Sequence, residues 1–428
     1  MAGTAGGEWS CDRRRALLLM ALCFAVYAAN GRVIPSGDSR PARYLPFAVL
    51  RDGTLTLNGF AAEVQAGVPG NYAISKVDGR LVSSYPVVGP LLALPLYVPA
   101  TLYLEAEGWN PTVLGFTAAL MEKVAASTLA ALAMGLLYLL LRRRATVRDA
   151  LLLTFACAFG TSTWVISSQT LWQHGPAQLL LVIALLCVSG EGSVPALAIG
   201  GLASGLLAAA RPPDLLLAAP IVVFSLLRHR RPAQRSAVAV AALLTGALQL
   251  GYNLAMFGAP LGGYQPGFSL GVYRFSHPLL AGLGTELLSP GKGLLVFSPF
   301  LFALLARPWR TGRPDHQLLD TLLALGMVAQ LLLYAKATMR GGDCYGPRYL
   351  TDLLPAVTWL LAPALPSLSR RGRLAFLAAV AIGVAIQAIG AFRYPAGGSD
   401  RVLRGNEAAA WRPANAQFIL ELRRAPGR

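Results

Sequence analysis

The sequence predicts an all-α membrane protein that crosses the bilayer many times. Of its 428 residues, 55% are hydrophobic and 13% charged, whereas a soluble domain carries about 25% charged residues. The apolar residues run in long blocks, among them "ALLLMALCFAVYAA", "VAASTLAALAMGLLYLLL", "SAVAVAALLTGALQL" and "LAFLAAVAIGVAIQAIGAF". A helix of about 20 apolar residues matches the hydrocarbon core of a bilayer. The third observation is where the arginines fall. They cluster at 13–15, 142–144 with Arg148, 228–235, 307–313 and 370–373, in the gaps between blocks, as positive-inside signals on the cytoplasmic side.

If every cluster is cytoplasmic, the helices between clusters come in even numbers. That constraint places spans near 15–34, 118–141, 149–167, 175–189, 195–210, 214–227, 235–255, 293–306, 318–335, 350–366 and 373–392. The count is about eleven spans, with the N-terminus cytoplasmic and the C-terminus outside. The first span has a second reading, as a signal peptide cut after Ala29. The block "VVGPLLALPLYVPATLYL" (87–104) breaks the parity if it crosses, and Pro90, Pro95 and Pro99 weaken a straight helix. It is expected as a juxtamembrane element inside a long first external loop, 35–117, with a twelfth span as the alternative. The chain is then one transmembrane domain, 1–392, followed by a polar external tail, 393–428, expected to be loosely ordered.

Several function classes recede. The net charge of +17 suggests nucleic acid in a soluble protein, but here the arginines serve topology, and no nucleic-acid partner is expected. Cys11, Cys23, Cys157, Cys187 and Cys344 show neither a CxxC nor a metal-finger spacing. The excess of arginine over lysine suits a GC-rich bacterial genome, hence a bacterial plasma membrane.

The remaining polar residues gather at outer helix ends and loops. All four lysines (Lys76, Lys123, Lys292, Lys336) fall there, against the positive-inside bias, which points to an anionic ligand. Asp38 lies four residues past Ile34, at headgroup level, where an acid must be solvated or paired. Arg40 and Arg43 are near enough in sequence to pair with it, and Tyr44 follows. An Asx-turn in "SGDS" is the structural alternative. His174 and Trp172 in "TLWQHGPAQ" either contact a sugar or belong to an interfacial belt. Arg211 in "ARPPDLL" is a ligand contact or the partner of Asp214. Glu122 and Lys123 are expected to pair with each other. Arg348, in "GGDCYGPRYLTDLLP" with Tyr345 and Tyr349, is a phosphate contact or the partner of Asp343 or Asp352. Arg340, Lys292 in "PGKG" and Lys336 sit at comparable levels.

The order of these features resembles the first external loop and late segments of GT-C membrane glycosyltransferases, the superfamily of protein O-mannosyltransferases and bacterial aminoarabinose transferases. The carriers are Asp38 just after the first span, "SSYPVVGP" with Tyr85 and Pro86, "YNLAMFGAPL", "LLSPGKGLLVFSP" and "GPRY…LP". The resemblance covers most of the chain as a pattern of loops and spans. It implies a polyprenyl-phosphate-linked sugar donor and an acceptor glycan, lipid or protein. It implies Asp38 as base, and Arg348, Arg340, Lys292 and Arg211 holding phosphate. Arg40, Arg43, Tyr44, Tyr85, Trp172, His174, Tyr345 and Tyr349 are then substrate contacts. Many relatives carry a second acid beside the first, and here that neighbour is Ser39. Asp52 in "RDG" and Asp78 in "VDG" read as turn formers, so a divalent metal is in doubt. Two other classes stay open: a flippase or transporter of a lipid-linked or anionic solute, and an inactive GT-C-like partner protein.

Overall fold

The computed structural model describes residues 2–34, 36–65, 72–309, 313–338 and 342–424, with side chains from residue 10 onward. Among the described residues the fold is all-α apart from one two-stranded hairpin, Ile74–Val77 with Arg80–Ser83. Asp78 and Gly79 link those strands at φ 48° and 76°. Two positive φ values in a two-residue loop match the strands' twist, so Asp78 is a turn former.

Among the described residues, five helices are long and apolar enough to cross a membrane: Val88–Ala106, Pro111–Leu141, Pro232–Phe257, Pro314–Lys336 and Arg370–Arg393. His174–Val188, Val194–Ala210 and Leu279–Leu288 are apolar but shorter. That is fewer long helices than the roughly eleven spans expected, and local chemistry accounts for much of the difference. The first helix, Ala2–Ala28, ends before residue 34 because the chain turns at Gly31, φ 61°. The stretch 149–167 divides into Val147–Phe159 and a π-helical turn, Thr163–Ser167. There the Thr161 hydroxyl bonds the Cys157 carbonyl, competing with the helical ladder. Residues 293–306 form Leu294–Phe297 and a 3₁₀ segment, Pro299–Ala306, and 350–366 divides into Leu354–Leu361 and Ala364–Ser367. Leu279–Leu288 falls where only loop was expected.

Long helices start where capping chemistry allows. Asn110 Oδ1 accepts the Thr112 and Val113 amides at 2.9 and 3.4 Å ahead of Pro111, and Ser369 Oγ accepts the Gly372 amide at 3.1 Å. Such caps satisfy amides that have no intrahelical partner. Val88–Ala106 is continuous despite Pro95 and Pro99 inside it. It packs along Arg40–Asp52 and Pro111–Leu141, with Tyr97 edge-on to Phe47 at 4.8 Å.

Ion pairs tie the arginine clusters to one end of the bundle. Asp12 accepts from Arg15 and Arg142 at 2.9 Å each and from the Tyr138 hydroxyl at 2.6 Å. Asp320 accepts from Arg144 at 2.7 Å, from the Trp359 indole at 2.7 Å and from Arg307. Arg373 pairs with Asp149, and Arg228 with Asp315 at 3.3 Å. From Arg142 back to Glu122 is 20 residues (142 − 122) of Pro111–Leu141, or about 30 Å, one hydrocarbon thickness. Glu122 is held at the opposite end, described below. The segment from residue 393, expected to be loose, is bound there too. Gln417 accepts the Gly346 amide at 2.6 Å and donates to the Cys344 carbonyl at 2.9 Å.

The two ends are accessible to labelling. In a background lacking the exposed Cys11, Arg231→Cys and Arg371→Cys should react with an impermeant thiol reagent from one side of sealed vesicles. Lys76→Cys and Ala414→Cys should react from the other. Labelling of all four from one side contradicts the two-ended arrangement.

Candidate functional site

Opposite the arginine end lies a cavity of about 740 Å³. Loops after the helices build it, and each delivers a polar side chain. Arg211 ends Val194–Ala210 in an extended conformation, φ −154°, ψ 107°. The two prolines that follow exclude the helical region for it and open the next helix, Leu215–Arg228. His174 begins His174–Val188, after the π turn and the loop carrying Gln169, Thr170 and Trp172. Arg348 and Tyr349 sit on a 3₁₀ turn, Arg348–Leu350.

One wall is polar. Asp38 meets Arg348, with Oδ2 2.7 Å from Nη1, and the Tyr72 hydroxyl donates to Asp38 Oδ1 at 2.8 Å. Burial and the Asp38 carboxylate push the Tyr72 hydroxyl's pKa up, so it remains a donor. A Cβ on Gly37 would come within 2.5 Å of that hydroxyl, so glycine is what lets Tyr72 reach Asp38. The Arg348 guanidinium lies 4.4 Å over the Trp172 ring and 5.6 Å from that of Tyr349. Arg348 Nε and Trp172 Nε1 are buried and find no acceptor in the described protein.

A second cluster adjoins the first. Asp352 is fully buried; His174 Nδ1 lies 2.8 Å from one of its oxygens, and the other forms an ion pair with Arg211. Arg211 also approaches Asp214 at 4.0 Å, and the Gln330 amide donates to Asp214 at 2.6 Å. Arg211 lies 5.4 Å from the ring of Tyr334, which stacks on Tyr349 at 4.8 Å. Tyr349 therefore has a guanidinium near it from each cluster, Arg211 being 6.0 Å away.

The other wall is apolar and includes Leu216, Leu333 and Phe257. Leu215, Leu261 and Phe268 line the cavity and are also exposed on the outer surface, so the cavity opens where the protein is greasy.

Of the residues expected at a site, Asp38, Arg348, Arg211, Trp172, His174, Tyr85 and Tyr349 line this cavity. Arg40 does not pair with Asp38; it donates to the Glu63 carbonyl at 2.7 and 2.9 Å. Arg43 pairs with Glu122 at 2.5 Å. Glu122 and Lys123 do not pair with each other, because consecutive helical residues point about 100° apart. Glu122 also accepts from Thr170, and Lys123 donates to Gln169 at 2.5 Å. Tyr44 is buried against Phe60. Tyr345 is buried with its hydroxyl on the Ile386 carbonyl at 2.8 Å, away from the cavity. Lys292 Nζ donates to the Gly342 carbonyl at 2.8 Å and does not line the cavity. Arg340 lies outside the described residues. Arg348 pairs with neither expected partner: Asp343 is taken by Arg404 and Asp352 by Arg211.

Sequence reading missed Tyr72, Asp352 as a shared anchor, and Tyr264, Tyr273 and Arg274 on the loop along the cavity edge. Asp352 had a signal, four residues past Arg348 and before an apolar helix. Tyr72 had none. Among the described residues, no three His, Cys, Asp or Glu side chains converge to hold a metal ion. No protein-family model and no curated protein sequence matches this chain.

The two acids flanking Arg348 in sequence should differ in their effect on stability. Asp352→Asn leaves buried Arg211 without its anion and is expected to cost about 3–5 kcal/mol. Asp343→Asn breaks a half-exposed pair and is expected to cost below about 1 kcal/mol. Unfolding of the purified variants in detergent measures both.

Proposed function

We propose that this protein is an integral membrane glycosyltransferase. It moves a sugar from a polyprenyl-phosphate-linked donor to an acceptor at the membrane face bearing the cavity. The single observation that carries the reading is the cavity's two-sided character: a greasy mouth for a lipid, and an inner wall bearing Asp38, Arg348 and Arg211. In the full arrangement, about eleven segments cross a bacterial plasma membrane, with the arginine end cytoplasmic and the cavity outside. Val88–Ala106 lies along the outer face within the first external loop.

The chemistry follows from the pairing. Guanidinium binds phosphate bidentately, so a donor phosphate competes with Asp38 for Arg348. A carboxylate released in this way can take the proton of an acceptor hydroxyl. The bond from the anomeric carbon to the phosphate oxygen breaks as the bond to the acceptor oxygen forms. Arg348 and Arg211 stabilise the charge growing on the leaving phosphate. No metal enters this sequence.

The closed Asp38–Arg348 pair also favours a second reading, a protein that binds lipid phosphate without transferring sugar. Reconstituted protein given radiolabelled polyprenyl-phosphate sugars separates the two. Transfer is expected, with Asp38→Asn lowering it at least about a hundredfold while donor binding persists. Arg348→Gln should weaken donor binding itself. Full turnover by Asp38→Asn overturns the assignment of the base. Binding without transfer from any donor supports the second reading.

A further inference from the structure

The transfer chemistry above uses Asp38, Arg348 and Arg211 and leaves His174 without a role. Its ring lines the cavity, and its two nitrogens are differently placed. Nδ1 is 2.8 Å from Asp352 Oδ1. Asp352 is also engaged by the Arg211 guanidinium, so it acts as a carboxylate and accepts from Nδ1–H. In a neutral imidazole with hydrogen on Nδ1, Nε2 presents a bare lone pair. Nε2 makes no hydrogen bond to any described residue. A second ring proton would add positive charge beside the guanidiniums of Arg211 and Arg348, which Coulomb repulsion disfavours. The cavity therefore holds an oriented acceptor with no donor supplied by the described residues.

Position says what would supply the donor. His174 and Arg348 both lie against Trp172: the rings of His174 and Trp172 are 5.9 Å apart, and the Arg348 guanidinium is 4.4 Å over the same indole. A group attached to a phosphate on Arg348 comes to rest beside His174. We propose that His174, held by Asp352, is the residue that reads the glycosyl group, its Nε2 accepting a hydrogen bond from a hydroxyl of the lipid-linked sugar. The inference rests on the cavity being a donor site. An oriented acceptor of this kind discriminates against ligands lacking the matching donor.

The test is binding to protein in nanodiscs. The probes are undecaprenyl phosphate and the same lipid phosphate carrying glucose, mannose, arabinose or aminoarabinose. Wild type should bind at least one glycosylated lipid more tightly than the bare one. His174→Phe should remove that increment, about tenfold in the ratio of glycosylated-lipid to bare-lipid affinity. His174→Gln, whose amide carbonyl can accept a hydrogen bond, should keep part of it. If His174→Phe does not fold, His174→Gln and monodeoxy donors decide: one deoxy donor should lose affinity for wild type and lose less for the variant. An increment that survives in His174→Phe overturns the proposal, as does a panel in which no sugar improves binding. Failure of wild type to bind undecaprenyl phosphate at all overturns the donor-site reading instead.

Discussion

The constraint on which the structure depends is that an ionised side chain cannot stay unpaired in a layer about 30 Å deep that offers no water. Nearly every acid packed into the helical bundle accordingly meets a guanidinium or a dense set of donors, and the meetings fall at two levels. Asp12, Asp149 and Asp320 gather arginines from four separate segments at one end. Asp38, Glu122 and Asp352 do so at the other. Pro111–Leu141 joins the levels, with Arg142 bound at one and Glu122 at the other. The pairs fix where helices begin and end more firmly than the apolar contacts between them, which lipid tails reproduce.

The cavity inherits the same constraint. Two of its arginines are matched by carboxylates from distant parts of the chain, Arg348 by Asp38 and Arg211 by Asp352. A buried pair gains little net stability, because desolvation offsets attraction. The two pairs differ in what a ligand can change. Asp38 is partly exposed, and in the proposed function an incoming anion exchanges with it. Asp352 is sealed and shared between Arg211 and His174, so it acts as a fixed anchor.

The resemblance drawn from the loop order pointed to Asp38, Arg348, Arg340, Lys292 and Arg211; Asp38, Arg348 and Arg211 line the cavity with Trp172, His174 and Tyr349, Lys292 does not, and Arg340 lies outside the described residues. Other residues that the resemblance implied as substrate contacts, Arg40, Arg43, Tyr44 and Tyr345, turn elsewhere. Short separations mislead here because a helix rotates each successive residue by about 100°, and Arg40–Asp52 is such a helix. Asp38 and Arg348 are 310 residues apart; nothing in local patterning links them.

What the sequence determined alone was the solvent of the fold and its polarity. Blocks of bilayer length demand helices because backbone groups in lipid must bond within their own segment, and clustered arginines demand a common end. Those are local or compositional properties. What only tertiary structure decided was the pairing: which carboxylate each arginine meets, whether an apolar block breaks at a threonine or glycine, and which nitrogen of His174 faces the cavity. The physical reason is range. Burial follows from a residue's own transfer free energy, whereas an ion pair or an oriented imidazole needs two groups brought together from opposite parts of the chain, at distances of a few ångströms that packing alone sets.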